Sequence, residues 1–322
     1  MRMVRRIVAL VTMACCSLDA NIVVGQEYPT RPIRIVTAAA GGGVDTAARL
    51  IAQGLTARLG EQVIIENRGG SGAIAAEIVA RAPADGHSLI LYGSALWLTP
   101  YLQQHASYDP VRDFAPITLA ITSPNVFVVH PLFAASSVKE LIAIAKARPG
   151  ELNYASTGTG SSPHLAGELF KFMAGVNIVH INYKAAAQAI SELIAGQNQL
   201  AIATAASATP HVKSGRLRAM AVTTAQPSAL FPGIPSVAAS GLPGYEAPSL
   251  FALFAPTKTP ERIIQRLNQE VVRVLALADV KEKFFNTGVE TVGSAPAELG
   301  ATVKSEMARM GKLIRDVGIR AE

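Results

Sequence analysis

Two glycine-rich stretches hold the residues best suited to chemistry in this chain. The first is Gly41-Gly42-Gly43-Val44-Asp45, which follows the apolar run Ile33–Thr37 and Ala38-Ala39-Ala40. The second is Thr157-Gly158-Thr159-Gly160-Ser161-Ser162-Pro163-His164, which follows Leu152–Ser156. Each reads as a strand, a glycine turn and the start of a helix. A helix start leaves backbone N–H groups without intrahelical acceptors and presents the positive end of the helix dipole, an arrangement suited to a small anion. Glycines let that anion approach the main chain closely. In the second stretch Ser162 reads as the helix cap and Pro163 as the first helical residue, while Thr157, Thr159, Ser161 and Ser162 supply hydroxyls. Neither the third glycine of a dinucleotide fingerprint nor a Gly-Lys-Ser/Thr follows, so a carboxylate fits better than a nucleotide phosphate.

The neighbouring polar residues each carry two readings. Asp45 either stabilises a helix start, by about 1 kcal/mol, or accepts a hydrogen bond from an amine or hydroxyl of a ligand. His164 either faces the ligand or packs. Ser94, just past the run Ser88–Tyr92, and Tyr183-Lys184, ending the run from Ile178, lie where open α/β sheets gather ligand groups. For Lys184 a solvated side chain is the alternative. The candidate contacts are therefore Ala40, Gly41, Gly42, Gly43, Val44, Asp45, Ser94, Thr157, Gly158, Thr159, Gly160, Ser161, Ser162, His164, Tyr183 and Lys184.

Other chemistries have weaker support. The six histidines include no i,i+4 pair and none near a cysteine, so no metal or other cofactor is expected. There is no Gly-x-Ser-x-Gly elbow. Ser136-Ser137-Val138-Lys139 has a hydrolase spacing, but Ser137 and Glu140 also spell a capping box at a helix start. No catalytic residue is assigned. A secreted serine hydrolase of small esters or amides, using a serine of the second glycine stretch, stands as the rival reading.

With 322 residues, half of them apolar, the chain can build two domains of ordinary size. Sparse aromatics beside abundant Ala, Val, Ile and Leu favour buried parallel strands alternating with helices. Arg2, Arg5 and Arg6 precede an apolar run of ten residues, Ile7 to Cys16, too short for a membrane span. Small residues before Gln26 complete a cleavable secretory leader, residues 1–25. A lipoprotein at Cys15 or Cys16 is the alternative, although Thr12-Met13-Ala14 matches a lipobox poorly. The formal charge of +6 falls to +4 without the leader, and no basic run is interleaved with aromatics, so nucleic acid is not an expected partner.

Residues 33–94 spell βαβαβ, and a second alternation of strands and helices runs from Leu152 to Thr223. A helix is expected over Pro210–Lys213, another from an N-cap at Thr259 to Ala276, and a last one over Pro296–Val317. Two strands, Asn125–Val129 and Leu250–Ala255, bracket the second alternation and are expected to pair antiparallel where the chain crosses between lobes. The expected organisation is one discontinuous lobe of residues 26–125 plus 248–322 and an inserted lobe of residues 126–247, with the ligand in the cleft between.

In this order the landmarks resemble the tripartite tricarboxylate transporter receptors, the Bug family of extracytoplasmic solute-binding proteins. The resemblance rests on Tyr28-Pro29-Thr30-Arg31-Pro32, Gly41-Gly42-Gly43-Val44-Asp45, Val63-Ile64-Ile65-Glu66-Asn67-Arg68, Tyr108-Asp109-Pro110-Val111-Arg112-Asp113-Phe114, Asn153-Tyr154-Ala155-Ser156-Thr157-Gly158 and Leu217-Arg218-Ala219-Met220-Ala221-Val222-Thr223. It implies an α/β, two-lobed periplasmic binding fold of type II-like form, each lobe a mixed sheet flanked by helices. It further implies a monomeric, non-enzymatic receptor in the periplasm, closing on a small organic carboxylate for membrane permease subunits or a sensor kinase. The chain departs from the family pattern at Ala38-Ala39-Ala40, Val44, Ala185, Ala203-Thr204-Ala205-Ala206 and Leu250, where more polar or aromatic residues are usual. Those departures imply a less polar pocket and a carboxylate with an apolar body.

Overall fold

The computed structural model of the protein describes residues 28–38, 43–68, 72–103 and 106–320. The leader, Ala40, Gly41 and Gly42 lie outside the described residues. Two sheets organise the chain. The first is built from β1 (Ile33–Thr37), β2 (Val63–Asn67), β3 (Ser88–Gly93), β4 (Phe114–Ser123), β10 (Ser249–Pro256) and β11 (Glu290–Thr291), in the order β11-β4-β10-β3-β1-β2. The second holds β5 (Asn125–Val129), β6 (Asn153–Thr157), β7 (Val179–Tyr183), β8 (Leu200–Thr204) and β9 (Arg218–Val222), in the order β7-β6-β8-β5-β9. Each is parallel at one end and antiparallel at the other, because β10 runs against β3 and β5 runs against β8.

Helices α1 (Gly43–Leu59), α2 (Gly72–Ala80) and α3 (Ala95–Leu102) belong to the first alternation. The second alternation carries α4 (Val138–Ala147), α5 (Ser162–Ala174), α6 (Ala186–Ile194) and α7 (Ala205–Lys213). Then α8 (Glu261–Ala276), α9 (Ala278–Asn286) and α10 (Pro296–Val317) return to the first sheet. In α8 the apolar residues Ile263, Ile264, Leu267, Val271 and Val274 fall on one face, which buries against Ile51 and Leu55 of α1. Each such side chain contributes about 1.5–3 kcal/mol on burial. The same face of α8 places buried Glu270 against Arg58 of α1 at 2.5 Å and its own Arg273 at 2.9 Å. No helix among the described residues is long and apolar enough to cross a membrane.

Several expectations need correcting. The runs 125–129 and 250–255 do not pair with each other. β5 is saturated by β8 and β9, and β10 by β3 and β4, so each crossing strand enters a different sheet and both its edges are taken. The helix expected at Pro210–Lys213 begins five residues earlier, at Ala205, with Pro210 in its interior. Thr259 does not cap α8, since its hydroxyl donates to the Pro256 carbonyl at 2.7 Å. Ser161, not Ser162, caps α5, which makes Ser162 the first helical residue. Half of the capping box expected at Ser137 and Glu140 forms: Ser137 Oγ accepts from the Glu140 N–H at 3.2 Å, but the Glu140 carboxylate accepts from the N–H of Ser136, one residue before the cap, at 2.7 Å. Helix formation therefore accounts for that Ser-x-x-Lys spacing.

Candidate functional site

The ends of β1, β3, β6 and β8 meet at one cavity of 310 Å³ between the sheets, and each strand passes there into a helix. Its wall takes Ala38 and Val44 from the β1–α1 junction, and Tyr92, Gly93, Ser94 and Ala95 from the β3–α3 junction. From the second sheet come Thr157 and Gly160–Pro163 at the β6–α5 junction and Thr204 at the β8–α7 junction. Ser249, Leu250 and Phe251 close it, because β10 runs antiparallel to β3 and so begins where β3 ends. The first turns of α1, α3, α5 and α7 thus converge on one space, each bringing up to about half a positive charge. No charged side chain lies on this wall among the described residues.

The two glycine junctions are held in shape from behind. At the first, Asn67 Nδ2 donates to the Ala38 carbonyl at 2.9 Å and to Asp45 Oδ1 at 2.7 Å, while Arg49 bonds Asp45 at 3.1 Å and Asn67 Oδ1 at 3.0 Å. Asn67 therefore ties together the two ends of the loop 38–45. At the second junction Gly160 has φ +79°, a conformation that glycine adopts without strain, and its N–H donates to His164 Nδ1 at 3.0 Å. His164 is buried and stacks on His180 at 4.3 Å between centroids. His180 in turn stacks on Tyr154 at 4.8 Å, and its Nε2 lies 2.8 Å from Ser156 Oγ. Tyr154 donates to Glu168 at 2.7 Å, as does Lys171 at 2.8 Å. Burial pushes the His180 ring down to about 4, helped by the neighbouring His164, and burial also lowers His164. Both rings are neutral at pH 7, which leaves His164 Nδ1 free to accept.

Most hydroxyls at the cavity already have protein partners. Ser161 Oγ donates to the Thr157 carbonyl and accepts from the His164 N–H. Ser162 Oγ accepts from Asn125 Nδ2 at 2.8 Å and bonds Ser249 Oγ at 3.0 Å. Thr204 Oγ1 pairs with Ser207 Oγ at 2.9 Å. Among the described residues, the hydroxyls of Tyr92, Ser94 and Thr157 and the N–H of Ser162 meet no protein partner. These, with the orphan N–H groups at the helix starts, remain for a guest.

Of the candidate residues, Val44, Ser94, Thr157, Gly160, Ser161 and Ser162 line the cavity. Gly43 begins α1, and Gly158 and Thr159 form the turn behind the wall, with the Gly158 N–H donating to the Tyr183 carbonyl at 3.3 Å. Asp45 is buried and bonded to Asn67 and Arg49, so its carboxylate serves the loop. His164 packs behind Gly160 instead of facing the cavity. The Tyr183 hydroxyl accepts from Asn198 at 2.8 Å, and Lys184 is exposed. The sequence reading missed Tyr92, Gly93, Ala95, Ser249 and Phe251; it tied Ala38, Thr204 and Leu250 to the pocket only as departures from the family pattern, and Pro163 only as the start of a helix. Strand-end position could have flagged Tyr92, Gly93 and Thr204, whereas Ser249–Phe251 depend on pairing across more than a hundred residues.

Two mixed sheets flanked by helices, with strand ends meeting at a shared cavity, define the architecture of the two-lobed periplasmic binding proteins. Residues 47–319 match the tripartite tricarboxylate transporter family receptors, and the chain belongs to that family. It is 35% identical over 320 residues to the UPF0065 protein in the tcbD-tcbE intergenic region of Pseudomonas sp. strain P51, covering 98% of this chain and 95% of the relative. It is 34% identical over 299 residues to Protein BugT of Bordetella pertussis, covering 92% of each. Among solved structures, R. palustris Rpa4515 with adipate superposes with a TM-score of 0.78 at 36% identity, covering 92% of this chain and all (100%) of that one. MatC from Rhodopseudomonas palustris with bound malate gives 0.73 at 29% identity, covering 89% and 100%.

Proposed function

We propose that the protein is a periplasmic receptor that captures a small organic carboxylate in the cleft between its two sheets. The convergence of four helix starts on a cavity that has no charged side chain among the described residues carries this reading, because it favours an anion without an ion pair. The adipate in Rpa4515 and the malate in MatC support it. Residues 26–125 with 248–322 act as one lobe and residues 126–247 as the other. The chain crosses between them at Pro124 and just before Ser249. A ligand touching Ser94 on one side and Ser162 on the other favours the closed form, because it gains contacts only there. The closed monomer then delivers its cargo to the membrane subunits of a tripartite transporter, or signals to a sensor kinase. The leader 1–25 is removed on export.

The hydrolase alternative finds Ser161 and Ser162 bonded to a main-chain carbonyl, Asn125 and Ser249, with the His164 ring turned to Gly160. Comparison of Ser162→Pro with Ser162→Ala tests the receptor reading. Both remove the hydroxyl, but only the proline removes the N–H, at a helix position that tolerates proline. Calorimetry with organic carboxylates should show a further loss of at least about tenfold in the proline variant. Equal affinities would contradict a main-chain grip at α5.

A further inference from the structure

Among the described residues the cavity's polar side chains are few, and several are already engaged. On one side stand the Tyr92, Ser94 and Thr157 hydroxyls and the first N–H groups of α3 and α5, which suit carboxylate oxygens. The remaining surface is Ala38, Val44, Ala95, Pro163, Leu250 and Phe251. The hydroxyls of Ser161, Ser162, Thr204 and Ser249 are held by protein partners. A ligand ammonium gains most from an anionic acceptor, and none lies on the wall among the described residues. The nearest acid in the sequence, Asp45, is buried against Asn67 and Arg49.

Building on the carboxylate reading, we propose that this cleft selects carboxylates with a plain hydrocarbon body, chain or ring, and rejects their α-amino, α-hydroxy and tricarboxylate counterparts. Each added group would be buried against Val44, Leu250 or Phe251 without a partner. An apolar wall that receives an extra hydroxyl discriminates by about 10- to 100-fold. The lack of a carboxylate on the wall among the described residues acts in the same direction for amino acids.

Matched probes isolate the body from the carboxylates. Succinate against malate adds one hydroxyl, adipate against 2-aminoadipate adds one ammonium, and glutarate against citrate adds a hydroxyl and a third carboxylate. Cyclohexanecarboxylate against its 1-hydroxy derivative repeats the test on a ring. Titration calorimetry of the purified full chain should show at least one plain member binding, and each plain member that binds doing so about tenfold or more tighter than its substituted partner. Val44→Thr keeps the side-chain shape and adds a hydroxyl to the wall, so it should narrow the succinate–malate or ring gap. Substituted members binding as tightly as plain ones, or a gap unchanged in Val44→Thr, would overturn the proposal while leaving the carboxylate reading intact. Failure of every carboxylate in both series would overturn the carboxylate reading itself.

Discussion

Acidification should loosen the second glycine junction before any carboxylate in the protein titrates. His180 sits near 4 in the folded chain against 6.5 in the unfolded one, because burial and His164 disfavour its charged form. Between those values the unfolded chain binds a proton that the folded chain refuses. Stability is therefore full above pH 6.5, falls as pH drops, and stops falling below about 4 from this source. At pH 5 the linkage amounts to about 2 kcal/mol from His180 alone, and His164 acts in the same direction. For a chain of this size that is a Tm decrease of roughly 3 °C. Unfolded Asp and Glu titrate near 4, so the window from pH 6.5 to 5 isolates the histidines. Thermal unfolding followed by circular dichroism across that window measures the slope. His180→Gln should remove most of it while preserving a polar group near Ser156. Parallel wild-type and His180→Gln curves from pH 6.5 to 5 would refute the reasoning.

Three further perturbations follow from the same contacts. Gly160→Ala forces a left-handed residue, at about 1–2 kcal/mol, and brings its Cβ to 2.8 Å from Leu102 across the cleft; stability and carboxylate affinity should both fall, and Leu102→Ala should recover only the contact part in a double-mutant cycle. Asn125→Ala removes the donor shared by Ser162 and the Ala247 carbonyl, so urea unfolding should show about 1–3 kcal/mol lost. Glu270→Gln leaves Arg58, Arg266 and Arg273 without their shared carboxylate; these arginines are partly exposed, so about 1–2 kcal/mol is expected instead of the larger loss of a fully buried pair, measured by the same method.

Local patterns and long-range pairing were not equally readable from the sequence. The β1–α1 junction was legible because three glycines follow an apolar run, and the β6–α5 junction because glycines, hydroxyls and a proline occur together at the end of one. The last helix was legible to the residue, since Pro296 starts it and Gly318 ends it in the left-handed conformation. By contrast, α3 was missed because Ala95–Leu102 is short, apolar on nearly every face and holds Pro100. The pairing of β10 with β3 and β4 could not be read, because apolar content marks a strand but says nothing about its neighbours. That pairing supplies Ser249, Leu250 and Phe251 to the cavity, so Ser249 and Phe251 were missed with it, and Leu250 was flagged only through the family resemblance. His164 and Asp45 show the same gap at the scale of one side chain. Sequence placed each at a helix start, but only the fold shows them serving the loop from behind.

The most direct measurement is a crystal structure of the protein with a bound plain dicarboxylate such as adipate. The account predicts carboxylate oxygens about 3 Å from the Ser162 N–H and from the α3 start at Ser94 and Ala95, with methylenes against Val44, Leu250 and Phe251. A ligand seated elsewhere, or one whose carboxylates are met only by lysine or arginine side chains, would contradict it.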